Sequence, residues 1–261
     1  MAARRATSLI RRICYLASDD PFDIEPFPGQ RARLHPRDNL SEKRVFAATQ
    51  FWDARERAVL GEAITSGPRP FHFVDAGANV GLYTLAARAS ADPGGLRALA
   101  IEPDPENLRR LRFNLAASGA TEEVAVAGVA LSDRPGELVL GEAENRGEIT
   151  LSASGDGLRV EARPLLDVVR GAGMDRIDAL KIDIEGMEHP VLASFFASAD
   201  RSLWPRMVLI EARHGEDTQA LALMRSKGYV EAERTRLNVI LTAPRAEMAT
   251  GDTDEHARTE G

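Results

Sequence analysis

Residues 74–85 read VDAGANVGLYTL. The apolar run FHFVDAG, 71–77, leads into them and ends on Asp75 and Gly77, and NVGLYTLAARAS, 79–90, follows with helical periodicity. A short apolar strand, a glycine-bearing turn and a helix form the opening unit of a sheet whose helices cover both faces.

Read outward, the chain repeats that unit. LRALAIEP (96–103) predicts a second strand, PENLRRLRFNLAASG (105–119) a second helix ended by Gly119, and EEVAVAGVALSD (122–133) a third strand. After an interruption the rhythm resumes. PLLDVVRGAG is helical, DALKIDIE a strand, HPVLASFFAS a helix, PRMVLIEA a strand and DTQALALMRSKG a helix. YVEAERT and NVILTAP then have the spacing of an antiparallel pair. The fold class expected is α/β, a doubly wound, mostly parallel sheet.

Three stretches lie outside this rhythm. Residues 1–40 read as a basic arm followed by an irregular lead-in rich in Pro, with a short strand near Arg31–Leu34. Residues 41–67 read as a helical segment with Ser41 as its N-cap and Val45, Ala48, Phe51 and Trp52 at helical spacing, closed by Pro68 and Pro70. Residues 134–164 carry short strand-like pieces between Gly, Asn and Asp, expected as an insertion beside the main sheet. The main domain is thus placed at 41–245, and 246–261 is expected to be a disordered acidic tail.

The turn at 75–81 carries the chemistry. Gly77 permits a tight bend and close approach of a ligand. A helix starting near Asn79 would present free N–H groups and a positive dipole end to an anion. The carboxylate of S-adenosylmethionine is such an anion, and Asp75 can accept from an ammonium or organise the turn. Glu102, at the tip of the second strand, stands where a ribose diol would lie. Asp133, after the third strand, could accept from an adenine amino group. The competing ligand is NAD, whose fingerprint is G-x-G-x-x-G. Here Gly77 and Gly81 are four apart and Asn79 stands where the second glycine would be, which disfavours a dinucleotide.

At this point the chain resembles the FkbM family of S-adenosylmethionine-dependent methyltransferases. VDAGANVGLYTL at 74–85, AIEPDPENLRRLRFNL at 100–115 and LKIDIEGMEHPVL at 180–192 carry the likeness, with VLIEARH at 208–214 a weaker fourth. The resemblance implies a seven-stranded class I methyltransferase sheet with its last strand antiparallel. It implies methyl transfer to a hydroxyl of a sugar, glycan or small natural product. It makes Gly77, Asn79 and Gly81 the loop around the cofactor's amino-acid end and sets Glu102 on the ribose.

The reactive end is read from KIDIEGME. Strand alternation puts Lys181, Asp183 and Glu185 on one side. Charges on a strand covered on both faces must be paired or must face a cleft. A structural ion pair of Lys181 with a carboxylate is the alternative to a functional role. A hydroxyl nucleophile benefits from a base, and the candidates are Asp183, then Glu185, then His214. Glu211 is a candidate for lining the acceptor pocket. No metal is expected, because the five histidines lack ligand spacing.

Composition narrows the classes. A formal net charge of -7 over 261 residues argues against a duplex-binding surface. One cysteine, Cys14, excludes an internal disulfide and fits a reducing compartment, read as cytoplasmic. No stretch is long and apolar enough to span a bilayer. Arg4, Arg5, Arg11 and Arg12 leave open a weak contact of the N-terminus with an anionic membrane, beside the plainer reading of a solvated arm. The alternatives to a methyltransferase are a binding module that has lost catalysis and an NAD-dependent oxidoreductase.

Overall fold

The computed structural model describes residues 19–141, 157–212 and 217–243, together with the backbone of 151–152. The basic arm, the tail and His214 lie outside the described residues.

Seven strands form the central sheet. They are β3 (Phe71–Ala76), β4 (Leu96–Ile101), β5 (Val124–Ala127), β10 (Ala179–Ile182), β11 (Met207–Glu211), β12 (Val230–Arg234) and β13 (Asn238–Thr242). Their order is β12-β13-β11-β10-β3-β4-β5. Neighbours from β11 to β5 run parallel, while β13 is antiparallel to both β11 and β12. The expected doubly wound sheet with an antiparallel last strand is therefore the fold.

Two apolar layers cover the sheet. Val74, Ala76, Leu180, Ile182, Val208 and Ile210 point to one, with α5 (Leu165–Gly171), α6 (Glu188–Ser198) and α7 (Gln219–Ser226). Phe71, Phe73, Ala98, Ala100, Ala179 and Leu209 point to the other, with α1 (Leu40–Ala48), α2 (Ala54–Ser66), α3 (Leu82–Ser90) and α4 (Pro105–Ala117). Helix starts follow local chemistry. Asp104 caps α4 by accepting from Asn107 N at 2.7 Å, with Pro105 in the first turn, and Thr218 caps α7 through Leu221 N.

Four expectations change. The third predicted strand is two, because the chain breaks at Gly128. β5 stays in the main sheet, and β6 (Ala130–Ser132) joins β7 (Gly136–Leu140), β8 (Leu151–Ser152) and β9 (Leu158–Pro164) in a four-stranded sheet of order β6-β9-β7-β8. The lead-in is ordered as a hairpin of β1 (Phe22–Phe27) and β2 (Gln30–Leu34). Asn39 rather than Ser41 caps α1, accepting from Glu42 N at 3.1 Å. The helix expected over 41–67 is interrupted, with a 3-10 turn at Thr49–Phe51 and Asp53 at φ 39°.

The hairpin and α1 are bound to α4. Arg31 N donates to Ser118 Oγ at 2.9 Å and Arg33 N to Asn114 Oδ1 at 2.7 Å. Arg110 is buried and pairs with Asp38 (2.7 Å), Glu106 (2.9 Å) and Glu42 (3.4 Å). Glu42 is fully buried, and that burial pushes its carboxyl up to about 8 against the pull of Arg110. Arg110→Met leaves the buried Glu42 without its cation and should cost on the order of 3 kcal/mol. Glu42→Gln, which keeps size and an acceptor, should cost well under half of that. Urea unfolding midpoints of the two variants test the ranking.

Candidate functional site

A cleft open to solvent lies at the carboxyl ends of β3, β4, β10 and β11. Open parallel sheets bind ligands at this edge, and the space suits a small molecule. Gly77, Asn79, Glu102, Lys181, Asp183 and Glu211 all line it.

The glycine loop is built by backbone demands. Gly77, Asn79 and Gly81 have φ of +79°, +52° and +86°. A Cβ on Gly77 would lie 1.9 Å from the Asp183 carbonyl oxygen. The glycine is thus required by the chain leaving β10, and the expected reason, room for a ligand, is not the first one. The helix also starts later than expected, at Leu82. The amides of 77–81 are not free: Gly77 and Ala78 donate to Ile101 O, Asn79 to Glu102 Oε2 at 2.8 Å, Val80 to Asn79 Oδ1 and Gly81 to Ala78 O.

Glu102 joins the two strand ends. Besides Asn79 N, it accepts from Asp104 N at 3.0 Å through Oε1. Burial pushes its carboxyl up to about 7 while these two amides hold it down. Ile101, Val129, Leu131 and Leu140 supply an apolar wall beside it. Asp133 does not join this wall. It follows the short strand β6, its side chain is about half exposed beside Arg134, and it is not among the lining residues.

A charged cluster occupies the other half. Lys181 and Asp75 are cross-strand partners on β10 and β3, on the face covered by α3. Asp75 accepts from Thr84 Oγ1 at 2.7 Å, and Lys181 Nζ lies 3.2 Å from Asp183. Burial alone would lower the Lys181 pKa, but Asp183 and Asp75 raise it, so the ammonium stays charged. β10 ends at Ile182, so Asp183 and Glu185 lie beyond the strand in the turn rather than on its face. Glu185 sits at φ 53° and is exposed at the rim.

Glu211, at the end of β11, lines the cleft beside Asp183, and each carboxyl acts on the other's ionisation. Burial and the Asp183 charge push Glu211 up to about 8. Burial opposes ionisation of Asp183, but Lys181 and Glu211 more than offset it and hold Asp183 low. The two carboxyls titrate as a pair, with Glu211 pushed up and Asp183 held low.

Residues the sequence reading passed over complete the cleft. Asp53 does not cap α2, and its carboxylate accepts instead from Tyr83 OH at 2.9 Å. Tyr83 packs edge-on to Trp52 at 4.9 Å and lies 5.1 Å from Lys181 Nζ. Ser41, Arg44 and Asn238 also line the space. Asp53 before a helical stretch is a cap signal, hidden by reading 41–67 as continuous. No group of three or more His, Cys, Asp or Glu among the described residues is arranged to hold a metal.

Strand order and cleft position together define a class I methyltransferase fold. The Methyltransferase FkbM domain matches residues 75–231, and the chain belongs to that family of methyltransferases. Methyltransferase sdnD of Sordaria araneosa is similar, with 31% identity over 197 residues, 61% of this chain and 73% of that protein. Among solved structures, methyltransferase FkbM from Methylobacillus flagellatus KT is similar at 21% identity and a TM-score of 0.46, over 78% of this chain and 55% of that one. The precorrin-6y C5,15-methyltransferase of Geobacter metallireducens GS-15 is similar at 17% identity and a TM-score of 0.46, over 74% and 88%. No helix of the described residues is long and apolar enough to cross a membrane.

The raised Glu211 carboxyl makes a pH prediction. A carboxyl raised in the folded state contributes stability that is fully present below its unfolded value of 4.5 and is lost as pH rises through about 8. Glu42 and Glu102 titrate in overlapping windows, so the comparison is with a variant. Glu211→Gln should lose less of its thermal midpoint between pH 6 and 9 than the wild type; equal slopes in differential scanning would refute the raised carboxyl.

Proposed function

We propose that this chain binds S-adenosylmethionine in the cleft and transfers its methyl group to a hydroxyl of a sugar, glycan or small natural product. The observation that carries the reading is the shared edge: the glycine loop and Glu102 line one cleft and are joined by the Asn79 amide.

The residues fit the cofactor. Asp75 Oδ1 is buried at the cleft without a hydrogen-bond partner among the described residues, an acceptor suited to an ammonium. Glu102 Oε2, which accepts only from Asn79 N among the described residues, retains a lone pair for a ribose hydroxyl, while Oε1 already accepts from Asp104 N and, at 3.5 Å, from Asn107 Nδ2. The apolar wall of Ile101, Val129, Leu131 and Leu140 suits a base. When bound, S-adenosylmethionine supplies a methyl group on a sulfonium that is already a good leaving group.

The chain's own work is then positioning and proton handling. Lys181 fixes the Asp183 carboxylate. Asp183 is ranked first as the acceptor of the hydroxyl proton, ahead of Glu185 at the rim and His214. Positioning of this kind contributes several kcal/mol to lowering a barrier. The insertion at 134–164 and the segment before β3 would shape the acceptor pocket. A single cysteine in 261 residues suits the cytoplasm as the compartment.

Titration calorimetry with S-adenosylmethionine and its demethylated product should give micromolar dissociation constants. Glu102→Ala should weaken both on the order of 10- to 100-fold. Asp183→Asn should bind them nearly as well and, on an acceptor found as a gain of one CH₂ in treated extracts, turn over about 10²- to 10⁴-fold more slowly. Folded protein that gives no heat with either ligand would reject the reading.

A further inference from the structure

The glycine loop consumes its own amides, so a carboxylate arriving over it finds none of the N–H groups of 77–81 unused. Lys181 is no substitute, being buried and held by Asp183 and Asp75. Arg44 is the other cation lining the cleft among the described residues.

Helix α1 stands over the loop. Its cap, Asn39, donates from Nδ2 to Asn79 Oδ1 at 2.7 Å, a side-chain bond from the helix start to the bend itself. Ser41 and Arg44 are three residues apart, on one face of that helix, and both line the cleft. Arg44 is exposed, and among the described residues it has no salt bridge within 4.0 Å. Its charge counters the burial that raises Asp53 and adds to what holds Asp183 low, as a guanidinium set toward the cleft would.

We propose that Arg44, assisted by the Ser41 hydroxyl, receives the carboxylate of the cofactor's amino-acid end. The proposal rests on the S-adenosylmethionine reading above and adds to it a residue outside 75–231, the span matched by the family domain. A guanidinium is matched to a carboxylate by its paired donors, which a lysine cannot reproduce. The N-terminal helix is then part of the cofactor site rather than an accessory to it.

Two ligands with the same nucleoside separate the possibilities by calorimetry. S-adenosylhomocysteine carries the amino-acid end; 5′-methylthioadenosine lacks it. Arg44→Ala should weaken S-adenosylhomocysteine about 10- to 100-fold and leave 5′-methylthioadenosine unchanged. Arg44→Lys should fall between the variant and the wild type. Arg44 is exposed, so the thermal midpoint should not move. Unchanged affinity for S-adenosylhomocysteine in Arg44→Ala, or equal loss of both ligands, overturns the proposal. Wild-type protein that binds neither ligand fails the S-adenosylmethionine reading itself, and the proposal falls with it.

Discussion

The 2.8 Å hydrogen bond from the Asn79 amide to Glu102 Oε2 is the constraint on which the cleft depends. It ties the bend after β3 to the tip of β4, whose strands run in register from Phe71 and Leu96 to Ala76 and Ile101. Asn79 reaches it by adopting φ 52°, a left-handed conformation uncommon outside glycine but tolerated by asparagine. The same bend presses Gly77 against the Asp183 carbonyl, where a methyl group would sit at 1.9 Å. Three strand ends are thereby drawn together, and none can shift without disturbing the other two.

Along this edge the strand tips carry a row of acids: Glu102 after β4, Asp75 on β3, Asp183 after β10 and Glu211 on β11. Asp75 and Glu102 are buried and Asp183 and Glu211 half-buried, and a row of carboxylates so placed is costly unless their charge is compensated. Two backbone amides hold Glu102, Lys181 holds Asp183 low and pulls against the burial that raises Asp75, and Glu211 is pushed up by burial and the Asp183 charge. Local charge is therefore specified residue by residue, which is why a chain with an ordinary acidic balance can hold a concentrated charged cluster inside its sheet edge.

The strand–turn–helix rhythm was legible because burial on both faces leaves an unmistakable apolar run, as in FHFVDAG, and because helix caps announce themselves, as Asp104 and Pro105 do. Glu102, Asp75 and Gly77 were found as strand-end residues for the same reason. What escaped was tertiary. Gly128 splits one apolar run between two sheets, so Asp133 leaves the cleft that strand counting gave it. Asp53 turns its carboxylate to Tyr83 rather than to its own helix, a choice made by residues 30 positions away. The hairpin at 22–34 is held by Asn114 and Ser118, some 80 residues on, and no local pattern records those bonds.

In the proposed function one ligand touches both the glycine bend and the Glu102 tip. Amide chemical shifts of isotope-labelled protein, followed during titration with S-adenosylhomocysteine, test it most directly. Asn79, Gly81, Glu102 and Asp104 should move together along one saturation curve while Arg33 in the hairpin and Arg159 in the second sheet stay still. Saturable binding that leaves those four amides in place and shifts a different surface would contradict it.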